Sequence, residues 1–188
     1  PPIVRFERQG GGKEAIENAA KLLSKAKFPV ILSGAGVVLG GAIDECKKLA
    51  EKLDAPVCNG YQHNDSFPGS HPLAVGPLGY NGSKAAMELI SKADVVLALG
   101  TRLNPFSTLP GYGIDYWPKK ATIIQVDMNP DRIGLTKKVS VGICGDAKQV
   151  AQQILDKLTS DAGNTGREER KNLIHKTKSA WLQTLSGL

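Results

Sequence analysis

The sequence predicts a doubly wound α/β fold, a mostly parallel five- or six-stranded sheet with helices on both faces. Three observations carry this. Short runs that are apolar at nearly every position alternate with segments of helical period, as strands buried on both faces and their crossovers require. Several runs end on Gly or Asp, where an open sheet reverses its chain and places its ligands. Neither a repeat of solenoid length nor an apolar run long enough to span a bilayer interrupts the pattern.

In chain order, Ala15, Ile16, Ala19, Ala20, Leu22 and Leu23 share one side of a first helix. Pro29–Ser33 is a short apolar strand that runs into Gly34-Ala35-Gly36. Ala42, Ile43, Cys46, Leu49, Ala50 and Leu53 then recur at helical spacing, and residues 55–58 form a second strand. Residues 59–81 are crowded with Gly, Pro, His, Asn and Ser and read as a long loop. A helix over 83–91 precedes a third strand, 94–99, closed by Gly100. Residues 100–118 form another turn-rich loop, followed by strands at 121–126 and 139–144. Val150, Ala151, Ile154, Leu155 and Leu158 complete a last core-facing helix. Residues 1–159 therefore make one Rossmann-like domain. Residues 160–166 are small and polar and read as a linker. Beyond them Ile174, Trp181 and Leu185 share a helix side that either packs on this domain or leads toward a missing C-terminal neighbour. The opening Pro1-Pro2, in place of Met, reads as a piece cut from a longer protein.

Composition sets bounds on function. Of 188 residues, 41% are hydrophobic and 22% charged, an ordinary globular balance. The net charge of +6 is half concentrated in residues 167–188, and no basic run is interleaved with aromatics. Nucleic acid is therefore not an expected partner. Three scattered cysteines, Cys46, Cys58 and Cys144, fit a reducing compartment, and with no secretory signal or membrane span the expected location is cytoplasmic.

Chemistry in such a sheet belongs at the carboxyl ends of the strands. Gly34 and Gly36 permit close backbone approach to a phosphate at a helix N-terminus, or simply turn the chain. The dinucleotide fingerprint is incomplete: its third glycine would fall at Leu39, and Gly40 is one residue late. Arg102 offers a planar fork to an anion, or an ion pair between elements. Asp127 can accept from ribose hydroxyls or cap the turn ending in Pro130. Asp146 with Gln149 resembles a helix capping box. In the long loop, His63 and Asp65 have the look of a proton-transfer pair, but no nucleophile accompanies them, and no metal-ligand spacing exists. No catalytic constellation belongs to the chain itself.

The strand-end motifs also resemble a known family. Gly34-Ala35-Gly36, residues 67–73 and 76–82, the run from Asp94 to Arg102, residues 126–134 and Gly145-Asp146-Ala147 look like the central domain of thiamine-diphosphate-dependent enzymes of the acetohydroxyacid synthase type. Each motif is weak alone, but their order and spacing over residues 13–158 are specific. Residues 60–65 and 102–113 narrow the likeness to the bacterial members that cleave sulfoacetaldehyde. For the whole enzyme, the resemblance implies conversion of sulfoacetaldehyde and phosphate to acetyl phosphate and sulfite, with thiamine diphosphate supplying the carbanion chemistry. That cofactor and its Mg would be held by flanking domains of the same chain, in a homodimer or homotetramer. The implication for this piece is a structural role and no activity alone. Carried over by position, contacts to a nucleotide such as FAD, ADP or coenzyme A would come from Gly34, Gly36, Arg102, Asp127 and Asp146. Leu103-Asn104 after the arginine, and Asn129, depart from the flavin-binding pattern and count against FAD.

Overall fold

The computed structural model describes residues 7–187. Six strands form one sheet: β1 (Pro29–Ser33), β2 (Val57–Asn59), β3 (Ala74–Pro77), β4 (Val95–Leu99), β5 (Thr122–Asp127) and β6 (Val141–Cys144). All pairings are parallel, in the order β3-β2-β1-β4-β5-β6. The expected doubly wound sheet is thus present with six strands. The order reverses between β1 and β4, whose registers pair Pro29 with Val95 through Ser33 with Leu99. Every residue of both strands is buried, which explains their unbroken apolar runs.

Helices α1 (Lys13–Lys25), α2 (Ala35–Leu39), α3 (Ile43–Leu53), α4 (Lys84–Ile90), α5 (Ala147–Lys157) and α6 (Arg167–Ser186) surround the sheet. The long members α1, α3 and α5 pack together, whereas α4 packs with α6. Right-handed crossovers travelling in opposite directions, β1-α3-β2 and β3-α4-β4, put these two layers on opposite faces. Leu23, Ile31, Leu32, Leu49, Val96, Leu97, Ile124 and Ile154 are fully enclosed between them.

Two features depart from the expectation. The stretch read as a loop over 59–81 contains β3, an edge strand with a register shift opposite Val57 and Cys58. Its flanking His71-Pro72 and internal Gly76-Pro77 disguise it, and an edge position is where a sheet tolerates proline. The helix after β1 is also broken. α2 ends at Gly40-Gly41 after a turn and a half, and α3 starts afresh.

The segment beyond 159 is docked on the sheet domain. Arg170, 1% exposed, uses all five of its N–H donors on main-chain carbonyls. They belong to Asp54, Lys27, Thr165, Leu53 and Gly163, at 2.5–2.9 Å. Arg167 adds an ion pair to Asp54. Of the expected stripe, Ile174 is buried, Trp181 is half-buried against Tyr112, and Leu185 is exposed. Thr177 and Arg170 supply the buried contacts that the stripe lacks.

Replacing Arg170 strands these carbonyls. Arg170→Met should lower unfolding free energy by about 3 kcal/mol in urea titration. It should also release the amides of 167–186 to fast hydrogen exchange. Arg170→Lys restores less than half of the loss, because an ammonium has three donors and no fork.

Candidate functional site

The carboxyl ends of β1, β4, β5 and β6 open onto one cleft of about 530 Å³ at the reversal of strand order. Gly34, Gly36, Arg102, Asp127 and Asp146, the five positions expected from sequence, all line it. Its floor is a backbone-on-backbone crossing. Gly34 N–H donates to Leu99 C=O at 3.1 Å, and Gly36 N–H donates to Gly100 C=O at 2.8 Å. A Cβ on Gly36 would lie 2.7 Å from Gly100 Cα, and Gly100 itself has φ +61°. The glycines are thus required by the contact between two loops, whatever binds above them. The helix that follows, α2, has only five residues, so it brings a short dipole to the cleft.

The walls carry charge. Arg102 and Arg132 are exposed and form no ion pair or side-chain hydrogen bond among the described residues. The inter-element salt bridge weighed for Arg102 is therefore not found there. Both arginines sit on loops fastened by one strand residue. Gln125, buried in β5, donates to the carbonyls of Thr101 and Arg132 at 3.1 and 3.2 Å and accepts from Gly134 N–H at 2.9 Å. Next to Arg102, Leu103 is held at φ +53° with its side chain fully buried, and Thr136 donates to its carbonyl at 2.7 Å. A β-carbon-bearing apolar residue in this conformation is unusual and needs such support.

The two acids are largely engaged. Asp127 Oδ1 accepts from Asn129 N–H at 2.8 Å, closing the turn before Pro130. Asp146 Oδ1 accepts from the amides of Lys148 and Gln149 at 3.1 Å, capping α5, and lies 3.6 Å from Arg8 Nη1. Arg8 also donates to Gly40 C=O at 2.7 Å. The turn expected at Asp127 is therefore realised, and Asp146 is a helix N-cap, but the reciprocal half of the expected capping box is not formed, because Asp146 N–H donates to Gln9 C=O.

A family model described as "Thiamine pyrophosphate enzyme, central domain" matches residues 16–154. The chain belongs to this family. A Rhizobium meliloti protein named "Probable sulfoacetaldehyde acetyltransferase" is 79% identical over 188 residues, covering all of this chain and 32% of that protein. The sulfoacetaldehyde acetyltransferase of Roseovarius nubinhibens is 74% identical, again over the whole chain and 31% of its own length. A Methanocaldococcus jannaschii protein named "Probable acetolactate synthase large subunit" is 36% identical over 92% of this chain and 27% of that protein. An X-ray structure from Mycobacterium smegmatis, assigned as a thiamin diphosphate-dependent enzyme, superposes with TM-score 0.67 at 26% identity, over 85% of this chain and 31% of that one. The chain spans about a third of the length of the curated relatives it matches.

Within this central domain the remaining candidates fall as follows. His63 lines the cleft mouth half-buried, but its Nδ1 is 3.8 Å from Oδ1 of the exposed Asp65, too far for a hydrogen-bonded pair. His71 is a loop staple: its Nδ1 accepts from Leu73 N–H at 3.1 Å, which leaves Nε2 to donate to Glu51 at 3.1 Å. Cys46 and Cys58 are buried, and burial pushes the Cys46 thiol up to about 12 and the Cys58 thiol further in the same direction. Neither is a nucleophile at neutral pH. Arg8, Arg132 and Tyr61 also line the cleft and were missed. Arg132 follows strand β5 closely enough to be read from sequence, whereas Arg8 arrives from the N-terminal segment without any local signal.

A methyl group at the crossing should separate the two loops. Gly36→Ala is expected to cost about 2 kcal/mol in thermal or urea unfolding, while a substitution on an exposed helix face such as Lys21→Ala stays near zero.

Proposed function

We propose that this chain is the central domain of a bacterial, cytoplasmic sulfoacetaldehyde acetyltransferase, which converts sulfoacetaldehyde and phosphate to acetyl phosphate and sulfite. One observation carries this reading. Proteins bearing that name are 51–79% identical across the chain, against 36% for an acetolactate synthase relative. Thiamine diphosphate, when bound, supplies the carbanion chemistry of the reaction.

The residues described here do not fit that cofactor or its magnesium. Among the described residues, no three His, Cys, Asp or Glu side chains converge to hold a metal ion. The cleft acids are occupied with a helix cap and a turn. In our reading both groups are held by flanking domains of a homodimeric or homotetrameric parent. This chain contributes a rigid spacer between them and is inert alone. The parent protein, given sulfoacetaldehyde, phosphate, thiamine diphosphate and Mg, should release acetyl phosphate and sulfite in equal amounts. The 188-residue chain should release neither. Formation of acetolactate from pyruvate, with no sulfite from sulfoacetaldehyde, would overturn the assignment.

A second reading concerns the cleft. Two guanidinium groups, unpaired among the described residues, over a glycine floor favour a phosphate-bearing ligand such as ADP or coenzyme A. Leu103-Asn104 and Asn129 depart from the flavin pattern, which favours these over FAD. Calorimetry on the parent protein should show heat with ADP or coenzyme A, weakened about tenfold by Arg102→Ala. Silence with ADP, coenzyme A and FAD alike would exclude a nucleotide.

A further inference from the structure

Two segments at the carboxyl end of the sheet, residues 76–83 (the end of β3 and the loop after it) and the loop 103–114, contain no charged residue, although 22% of the chain is charged. They bear its main cluster of exposed aromatic side chains. Tyr80 is 60% exposed, Phe106 56% and Tyr112 55%. Tyr61, Tyr80 and Phe106 form one connected group of rings, and Tyr112 is tied to the Tyr80 loop by its hydroxyl, so that together they make a ridge. Tyr61 stacks on Phe106 with centroids 6.0 Å apart and meets Tyr80 edge-on at 6.5 Å. Tyr112 meets Trp181 of α6 edge-on at 5.5 Å and donates its hydroxyl to Gly82 C=O at 3.0 Å.

The ridge is preformed. Tyr80 N–H donates to Phe106 C=O at 3.1 Å, and Tyr61 N–H to Ser107 Oγ at 3.0 Å. Gly79 has φ +84°, and any Cβ there would collide with the Phe106 carbonyl, so the two loops interlock through main chain. Asn81 and Tyr112 are also held at positive φ, 55° and 53°. Fixing apolar rings in water through strained backbone is costly to a domain that works alone. Depletion of charge with enrichment in Tyr and Phe is instead the composition of an interface core.

We infer that the Tyr61–Tyr80–Phe106–Tyr112 ridge is the seat of a flanking domain of the parent polypeptide, packed against the carboxyl end of this sheet beside the cleft. The inference rests on the reading of this chain as a central domain. It is supported by the length of the relatives, about two thirds of which lies outside the matched segment. A second copy of this chain is the competing occupant.

Hydroxyl-radical footprinting of the full-length parent protein tests the seat. After correction for intrinsic reactivity, Tyr80, Phe106 and Tyr112 should be modified about tenfold less than Leu135, an exposed residue outside the two segments (72% exposed). Tyr80→p-benzoylphenylalanine should photo-cross-link to a peptide from outside these 188 residues. Modification in proportion to exposure overturns the inference. So does a cross-link confined to residues of this segment, from the same or a second copy, and so does protection without any outside peptide. These readouts are independent of turnover. A parent that forms acetyl phosphate with a freely reacting ridge refutes only the seat, and one that cross-links outward but releases no sulfite refutes only the activity.

Discussion

The contact of Gly34 and Gly36 with Gly100 is the constraint on which the cleft depends. Two loops leaving adjacent parallel strands at the reversal of strand order must separate, and here they first cross at main-chain distance, bonded through Gly36 N–H and Gly100 C=O. Side chains at these positions would force the strand ends apart, and with them the registers of β1 and β4. The glycines set the depth of the floor, and everything lining the cleft is placed relative to it. Their resemblance to a phosphate-binding turn follows from this crossing, since a loop free of side chains is also a loop that a ligand can approach.

Charge in the cleft is sorted by what the scaffold needs. The carboxylates of Asp127 and Asp146 serve a turn and a helix cap, and Arg8 is tied to Asp146 and Gly40. Arg102 and Arg132 have no side-chain partner among the described residues, and their loops are steadied from below through Gln125 and the carbonyl of Leu103. A buried amide in the middle of an otherwise apolar strand looks out of place until its three bonds to the two arginine-bearing loops are traced. Two cations free of protein partners among the described residues are thus what the cleft walls present, and the nucleotide reading proposed above rests on them.

Much of this was legible in the sequence because the strands are buried on both faces and leave nearly unbroken apolar runs, as in Val95–Leu99. The five strand-end residues were legible for the same reason: parallel strands bring their carboxyl ends to one edge. What was hidden has particular causes. β3 is an edge strand whose Gly76-Pro77 reads as a turn. Gly40 marks a helix break rather than a late fingerprint glycine. The interlocked loops around Tyr80 and Phe106 are joined by carbonyl and amide groups, which leave no trace in side-chain pattern. The docking of α6 depends on a buried cation, and an arginine in a polar tail is ordinarily read as solvated.

That last feature also decides which of its neighbours are replaceable. The guanidinium of Arg170 reads only peptide carbonyls, those of Lys27, Leu53, Asp54, Gly163 and Thr165. A clasp of this kind does not read the side chains of Lys27 and Thr165, whereas Leu53 is committed to the core and Gly163 is held at φ +85° with no room for a Cβ.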